Sequence, residues 1–185
     1  IPPSGLPETF TYTITDTDGS DSDTATLVIT VNNANQSPDA VNDTNTATEG
    51  GSAVTGNVIS NDTLGDTPTT VTAIAQSGNS GSPSVGSGFT TNGGGTLIIN
   101  ANGTYTYTPP SHNDVPPSGL TETFTYTITD TDGSDSDTAT LVITVGDVDR
   151  TPTAVNDTAS ATEAGSATTG NVLTNDTLGD SPTTV

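Results

Sequence analysis

The chain contains a long internal repeat, and this repeat restricts the architectures that it can adopt. Residues 9–31 are identical to residues 123–145, and residues 40–44 are identical to residues 154–158, both offset by 114 residues. A period of this length is typical of one β-sandwich per repeat, because the repeats of solenoid proteins are only about 20 to 50 residues long. We therefore predict domain-sized modules in tandem.

The repeat is interrupted by one divergent segment, which predicts the module boundaries. Residues 32–37 differ at every position from residues 146–151, and a proline follows each segment, Pro38 and Pro152. Such a divergent stretch before a proline is typical of a linker. We expect the C-terminal part of one module in residues 1–34, a complete module in residues 38–147 and the N-terminal part of the next module in residues 152–185.

Alternation of apolar residues with threonine predicts strands that are buried on one face. Phe124, Tyr126 and Ile128 alternate with threonines, and we interpret these aromatic side chains, with Tyr105 and Tyr107, as structural. Asn102-Gly103 predicts a two-residue hairpin turn with positive φ at both positions. Many short strands without helical periodicity indicate an all-β sandwich with Greek-key connections. The predicted strands are residues 40–48, 52–59, 69–76, 84–91, 96–100, 104–108, 122–130 and 138–145.

The charge balance excludes several classes of function. The chain has 22 acidic residues against the single basic residue Arg150, a net charge of −21, and no cysteine. It therefore lacks the basic surface that binds nucleic acid, and anionic membranes would repel it. No apolar run is long enough to cross a bilayer. Without a nucleophile–base set, and with one isolated histidine, His112, we predict no enzymatic activity.

One acidic cluster lies in a loop between two predicted strands and occurs twice. Four carboxylates in eight residues repel each other, and a hard cation with oxygen ligands, such as Ca²⁺, would relieve this repulsion. The glycine and ligand positions differ from those of an EF-hand. An ordinary Asp-Gly turn with solvated carboxylates is the alternative. The candidate ligands are Asp130, Asp132, Asp135 and Asp137, with the copies Asp16, Asp18, Asp21 and Asp23.

A second set of acidic residues is predicted to converge at the end of the module, beside the linker. Spacing alone is weak support, because Asn-Asp-Thr is also an ordinary turn and capping sequence. Arg150 disfavours a divalent cation at one linker, since like charges repel, so the two junctions need not be equivalent. The candidate ligands are Asp43, Glu49, Asp62 and Asp66 with Asp147 and Asp149, and the copies Asp157, Glu163, Asp176 and Asp180.

Five blocks occur in a fixed order along the chain: Ala40-Val41-Asn42-Asp43-Thr44, Thr48-Glu49-Gly50, Gly56-Asn57-Val58 with Asn61-Asp62, residues 102–109 and residues 124–130. Together they resemble the bacterial Ig-like, cadherin-like tandem repeats that include the VCBS repeats. The resemblance implies an Ig-like sandwich of the kind found in extender regions of giant RTX-type surface adhesins, where Ca²⁺ often rigidifies the array. It implies an extracellular location at the bacterial cell surface. The linkers depart from the usual Asn-Asp-Ala-Pro.

The resulting functional prediction is a spacer that increases in length with each repeat. Its partners would be the neighbouring repeats of the same chain, and Ca²⁺ would stiffen the junctions while the tip binds an unidentified ligand. Strong negative charge would keep neighbouring stalks apart and soluble. Two alternatives are a homo-oligomeric filament assembled laterally from many chains and a calcium-dependent carbohydrate-binding module.

Overall fold

The computed structural model describes residues 5–111, 115–130, 135–180 and 185, and its regular structure consists of β-strands. No helix that could cross a membrane occurs in these ranges. The strands are β1 (Leu6–Thr15), β2 (Ser22–Val31), β3 (Asp43–Thr48), β4 (Val54–Asn57), β5 (Thr70–Ala75), β6 (Phe89–Thr90), β7 (Thr96–Ile99), β8 (Thr104–Thr108), β9 (Leu120–Thr129) and β10 (Ser136–Gly146).

The central part of the chain forms two four-stranded sheets, as expected for an all-β sandwich. One sheet has the order β3-β10-β9-β5 and the other has the order β4-β8-β7-β6. Neighbouring strands are antiparallel except for β3 and β10, which pair in parallel from Asp43 opposite Leu141 to Thr48 opposite Gly146. The first and last strands of the module are therefore neighbours in one sheet.

The core lies between the two sheets and follows the apolar alternation. Phe124, Tyr126 and Ile128 on β9 and Leu141 and Ile143 on β10 are at most 1% exposed. Threonines alternate with them along both strands, except that Val142 lies between Leu141 and Ile143. The opposite sheet contributes the buried side chains Leu97, Ile99, Tyr105 and Tyr107. All three tyrosines that the sequence predicted to be structural are thus buried.

Most predicted strands occur, but one is much shorter than expected. β8 has the predicted bounds, while the strand predicted over residues 84–91 is reduced to Phe89–Thr90. Gly86 has a φ of 79°, and the Ser87 N–H donates to the Ser84 carbonyl at 3.1 Å. This segment turns instead of extending, because glycine adopts the left-handed conformation without steric cost.

The hairpin between β7 and β8 has a different turn from the predicted one. Its last strand pair is Ile99 opposite Tyr105, and Asn100 donates to the Thr104 carbonyl at 2.8 Å, so three residues form the loop. Gly103 has a φ of 81°, whereas Asn102 does not have a positive φ. A type I turn followed by one left-handed glycine is the usual geometry of three-residue hairpin loops. The prediction of a two-residue turn was wrong.

The segments outside the central module keep local features of their copies. β1 and β2 pair with Phe10 opposite Leu27, the register of Phe124 opposite Leu141. Residues 152–180 contain a single bridge, Thr153 to Thr177, which repeats the bridge from Asp39 to Thr63. The local pairing in each copy is therefore reproduced even where the apolar side chains are exposed.

Candidate metal centre at the module junction

The parallel pairing of β3 and β10 places two acidic residues side by side. The two strands end together, with Thr48 opposite Gly146, so the residues that follow, Glu49 and Asp147, leave the sheet as neighbours. The Glu49 N–H donates to the Gly146 carbonyl at 3.0 Å, which fixes the start of the turn. Glu49 is only 1% exposed. A carboxylate is thus held at the end of the sandwich.

A third carboxylate comes from the segment beyond the linker. The Arg150 N–H donates to Oδ2 of Asp180 at 2.9 Å, which holds the Asp180 loop against the linker. Ligand oxygens of Glu49, Asp147 and Asp180 all lie within 4.8 Å of one another. We call these three residues the junction triad. Glu49 and Asp147 belong to the central module, with Asp147 at its boundary with the linker, and Asp180 belongs to the segment that follows the linker.

The electrostatics of the junction triad reflect this proximity. Partial burial, followed by the negative charges of Asp180, Glu49 and Asp149, raises the pKa of Asp147. The ionised form of Asp147 is therefore disfavoured in the folded protein. A cation or a bound proton would offset this cost.

The donor chemistry of the junction triad fits a hard divalent cation. Three carboxylates supply only oxygen ligands, and Ca²⁺ binds carboxylate, carbonyl and water oxygens. Of the residues predicted for this junction, Glu49 and Asp147 belong to the triad, and Asp149 contributes charge beside it. Asp180, the copy of Asp66, provides the third carboxylate.

The preceding linker has a different arrangement at the equivalent positions. Asn33 stands one repeat before Asp147, and its Nδ2 donates to Oδ2 of Asp66 at 3.0 Å. The Gln36 N–H donates to the same oxygen at 3.2 Å, as the Arg150 N–H does to Asp180. The side chains at positions 36 and 150 are not used in this contact. At these equivalent positions the first linker places an amide beside the aspartate and the second linker places a carboxylate there.

Asp43 and Asp62 converge within the sandwich, not at the linker. The hydroxyl of Tyr126 lies 3.0 Å from Asp43 Oδ2, 3.0 Å from the Val41 carbonyl, 2.9 Å from the Val58 carbonyl and 3.4 Å from Asp62 Oδ1. The hydroxyl has one hydrogen to donate among these oxygens. Burial raises the pKa of both Asp43 and Asp62. We call this group the Tyr126 oxygen cluster.

The acidic loop between β9 and β10 packs its later carboxylates against the preceding linker. Asp135 accepts hydrogen bonds from Asn35 Nδ2 at 2.5 Å and from Ser37 Oγ at 3.0 Å. Asp137 accepts one from the Ala40 N–H at 2.8 Å, which lowers the pKa of Asp137. Asp130 is 5% exposed, whereas Asp132 and His112 lie outside the described residues. Asp135 and Asp137 thus anchor the linker.

The copy of this loop between β1 and β2 uses its carboxylates within its own turn. Asp16 accepts from the Gly19 N–H at 3.0 Å, and Asp18 accepts from the Ser20 N–H and hydroxyl. Asp23 accepts from the Thr24 N–H at 2.8 Å, and Asp21 is exposed. Hydrogen bonds from Ser20 lower the pKa of Asp18. Calcium binding in this loop stays a prediction.

The remaining predicted ligands lie in the segment after the linker. Asp157 lines a pocket together with Asp176, while Glu163 is exposed although its copy Glu49 is buried. Reasoning from spacing missed two partners. It interpreted Tyr126 only as structural, and it grouped Asp66 with Asp147 while naming Asp180 only as the copy of Asp66. The repeat offset of 114 residues was the available signal for Asp180.

Comparisons with known proteins identify a family for the central module. Residues 35–147, more than half of the chain, match the bacterial cadherin-like domain. Among solved structures, the chain is similar to an endo-fucoidan hydrolase from glycoside hydrolase family 107, at 18% identity and a TM-score of 0.33. That match covers 79% of this chain but only 19% of the enzyme, and it bears on neither fold nor activity here. No curated protein sequence matches the chain.

Proposed function

The chain belongs to the bacterial cadherin-like domain family, and we propose that it is a structural repeat of a long extracellular adhesin or surface fibre. Domains of this family are structural or adhesion-type, non-enzymatic in general, and typically extracellular. In this proposal the modules form a calcium-stiffened spacer that projects a binding tip from the bacterial cell. The proposal assigns no catalytic role to the chain.

The junction triad is the observation that carries this proposal. Glu49 and Asp147 come from the end of the central module, Asp147 at its boundary with the linker, and Asp180 comes from the following segment, with ligand atoms within 4.8 Å. The triad brings together carboxylates from both sides of the second linker. A ligand held by all three residues would restrict bending between the module and the next segment.

The protein supplies the oxygen ligands and their positions. Glu49 is fixed by burial, and the Arg150 N–H orients Asp180 through a 2.9 Å hydrogen bond. Asp147 completes the set from the linker itself. Bound Ca²⁺ would contribute positive charge that offsets the repulsion among the three carboxylates. Without it, this repulsion favours separation of the linker from the segment that follows.

The surface composition supports a role as a spacer. With a net charge of −21, neighbouring stalks would repel each other and resist lateral association. The longest strand, β10, has 11 residues, so a module whose strands run along the stalk would add roughly 35 Å per repeat, at about 3.3 Å per residue. The reach of the stalk would then be set by the number of repeats.

The decisive experiment measures junction stiffness with and without Ca²⁺. We expect Ca²⁺ to raise the melting temperature of the chain and to increase its maximum dimension in small-angle X-ray scattering. Glu49→Gln should weaken both responses, because it removes one charged ligand. Glu163→Gln is the matched control, since Glu163 is the exposed copy of the same position.

Three outcomes would contradict the proposal. If the melting curve and the scattering profile do not change when Ca²⁺ is added, calcium does not stiffen the junction. Equal effects of Glu49→Gln and Glu163→Gln would show that the junction triad is not the site of the response. Turnover of a substrate by the purified chain would argue against a purely structural role.

A further inference from the structure

A buried polar cluster in the complete module joins the ends of two strands from opposite sheets. Gln76 follows β5, an edge strand of one sheet, and Thr91 follows β6, an edge strand of the other. Both side chains donate to Glu122, Gln76 Nε2 to Oε1 and the Thr91 hydroxyl to Oε2, each at 2.9 Å. All three side chains are buried, with 8% of Gln76, 4% of Thr91 and 3% of Glu122 exposed. One carboxylate therefore contacts a hydroxyl and a carboxamide at the same time.

The carbonyl oxygen of the same carboxamide is held by two N–H donors. Asn79 Nδ2 donates to Gln76 Oε1 at 3.0 Å, and the Asn92 N–H donates to this oxygen at 2.9 Å. Asn92 is the residue after Thr91, so this contact returns the series of hydrogen bonds to its start. The carboxamide of Gln76 is therefore enclosed beside the Thr91 hydroxyl. Two donors at these distances are the arrangement that stabilises a negatively charged oxygen in acyl transfer.

The backbone beside the hydroxyl approaches the carboxylate closely. The Gly93 N–H donates to Glu122 Oε1 at 2.9 Å, and a Cβ at position 93 would lie 3.0 Å from Glu122 Cδ and clash with Leu120. Glycine permits this approach because it has no side chain. A cavity of about 300 Å³, lined by Gln76 and Glu122 among others, borders the cluster. A small product of a reaction in the cluster could leave through this cavity.

We propose that the Thr91 hydroxyl and the Gln76 carboxamide join in an internal ester bond. The Thr91 oxygen attacks Cδ of Gln76, and Glu122 accepts the hydroxyl proton. The C–N bond of the carboxamide then breaks, Glu122 returns the proton to Nε2, and one molecule of ammonia leaves. The reaction consumes no oxidant and no second reactant. Its product is an ester between residues 76 and 91.

Three features of the cluster favour this reaction. Glu122 lies within hydrogen-bond distance of both the attacking oxygen and the leaving nitrogen, as the proton carrier must. The two donors on Gln76 Oε1 are in place before the attack, and effective concentrations of reactants held in this way can reach about 10⁵ M. Ammonia is protonated at neutral pH and diffuses away, which draws the equilibrium towards the ester.

The ester would tie together the edges of the two sheets. β5 ends one sheet and β6 ends the other, and the bond would close the loop of residues 76–91 between them. In a chain without cysteine it would provide the covalent restraint that a disulfide provides elsewhere. The bond uses neither calcium nor the junction triad, and it goes beyond the proposed spacer function.

Mass spectrometry of the denatured chain tests the bond directly. After several days at neutral pH, we expect the purified chain to be lighter than its sequence by about 17 Da, the mass of ammonia. Digestion with chymotrypsin, which cuts after Phe89, should leave two peptides joined through residues 76 and 91. Mild alkali should open the ester and add about 18 Da, the mass of water, with a glutamate at position 76. An unchanged mass after incubation would overturn the proposal.

Substitutions at position 91 identify the reacting oxygen. Thr91→Val keeps the shape of the side chain without the hydroxyl, so this variant should keep its full mass, whereas Thr91→Ser should still lose ammonia. Thr90→Val, at the exposed position next to it, is the matched control and should react as the unmodified chain does. The measurement on the unmodified chain needs no variant, so it decides the proposal even if a variant fails to fold.

Two other reactions would give a different pattern in these variants. Succinimide formation at Asn92 or Asn102, each followed by glycine, also releases ammonia. A loss of about 17 Da that persists in Thr91→Val would indicate this reaction and overturn the proposal. The Tyr107 hydroxyl also donates to Glu122 Oε2, at 2.6 Å. A cross-link that is lost in Tyr107→Phe but kept in Thr91→Val would place the ester on the tyrosine and would equally overturn the proposal.

Discussion

The hydroxyl of Tyr107 donates a 2.6 Å hydrogen bond to Oε2 of Glu122, and both side chains lie inside the sandwich. Glu122 is 3% exposed and accepts three further hydrogen bonds, from Gln76 Nε2, the Thr91 hydroxyl and the Gly93 N–H, each at 2.9 Å. Four donors thus satisfy one buried carboxylate without a cationic partner. This network joins β8, β9 and Gln76, the residue after β5, to the loop before β7.

We predict that Glu122→Gln destabilises the complete module. Glutamine removes the negative charge that all four donors share. Its NH2 group would face either Gln76 Nε2 and the Gly93 N–H, which only donate, or the Thr91 and Tyr107 hydroxyls, which would have to turn and accept, at a cost of about 2 to 4 kcal/mol. Denaturant unfolding would measure this loss. Glu8→Gln, at the exposed copy of the position, should change the free energy of unfolding by less than about 0.5 kcal/mol. Equal effects would contradict the assigned role of the network.

Exchanging the amide of Asn33 and the carboxylate of Asp147 should have opposite effects on the calcium responses of the two linkers. Asp147→Asn introduces a donor that can bond to Asp180 as Asn33 bonds to Asp66, so the junction should become more stable without calcium and lose most of its calcium response. Asn33→Asp should do the reverse at the first linker, because two carboxylates would face each other. The melting temperatures of both variants, measured once with a chelator and once with calcium, test these expectations. Identical calcium responses in the two variants and the unmodified chain would contradict this prediction.

Acidification from neutral pH should at first stabilise the module. Burial raises the pKa of Asp43 and Asp62 above the ordinary 3.8, so the folded state binds these protons more tightly than the unfolded state. Their stabilisation is complete below pH 3.8 and is lost as the pH rises through the raised values. The pKa of Asp137 is lowered, so its contribution is lost as the pH falls below 3.8. The melting temperature should therefore be highest near about pH 4.

Asp43→Asn isolates the contribution of the Tyr126 oxygen cluster to this pH dependence. The variant removes one of the carboxylates with a raised pKa, and its melting temperature should vary less between pH 4 and pH 7. Asp157→Asn removes the same charge outside the complete module and serves as control for the change in net charge. If the pH profile of the melting temperature is unchanged in Asp43→Asn, the Tyr126 oxygen cluster does not cause the pH dependence.

An alanine at position 50, in the turn after β3, should lower the free energy of unfolding. Gly50 has a φ of 59°, and its copy Ala164 has a φ of 60° in the equivalent turn. An alanine in this left-handed conformation costs about 1 kcal/mol relative to glycine. Gly50→Ala should thus lower the free energy of unfolding by about 1 kcal/mol, measured with denaturant. Ala164→Gly is the reverse change, and destabilisation by it would contradict this explanation.

The strands could be predicted where alternation is regular. β8 was located to the residue because Tyr105 and Tyr107 alternate with threonines and Asn102-Gly103 precedes them. The bounds of β6 could not be predicted, because the serines and glycines around Gly86 carry little information on backbone conformation. The length of the turn before Thr104 was also missed, since Asn-Gly suits both two-residue and three-residue hairpin loops.

The candidate site was harder to predict than the fold. Sequence spacing grouped Asp43 and Asp62 with Asp147, but the structure separates them because a buried tyrosine draws the first two into the sandwich. Glu49 and Asp147 are 98 residues apart in sequence, and only the parallel register of β3 and β10 makes them neighbours. Such proximity depends on strand pairing, which local patterns do not specify.

The parallel register of β3 and β10 also determines how a module would bear mechanical load. The chain enters β3 at one end of the sheet and leaves β10 at the other, so tension applied through the linkers pulls these neighbouring strands in opposite directions along their length. Six residue pairs from Asp43–Leu141 to Thr48–Gly146 would be sheared together instead of unzipping one by one. A module built in this way resists extension until the whole strand pair ruptures.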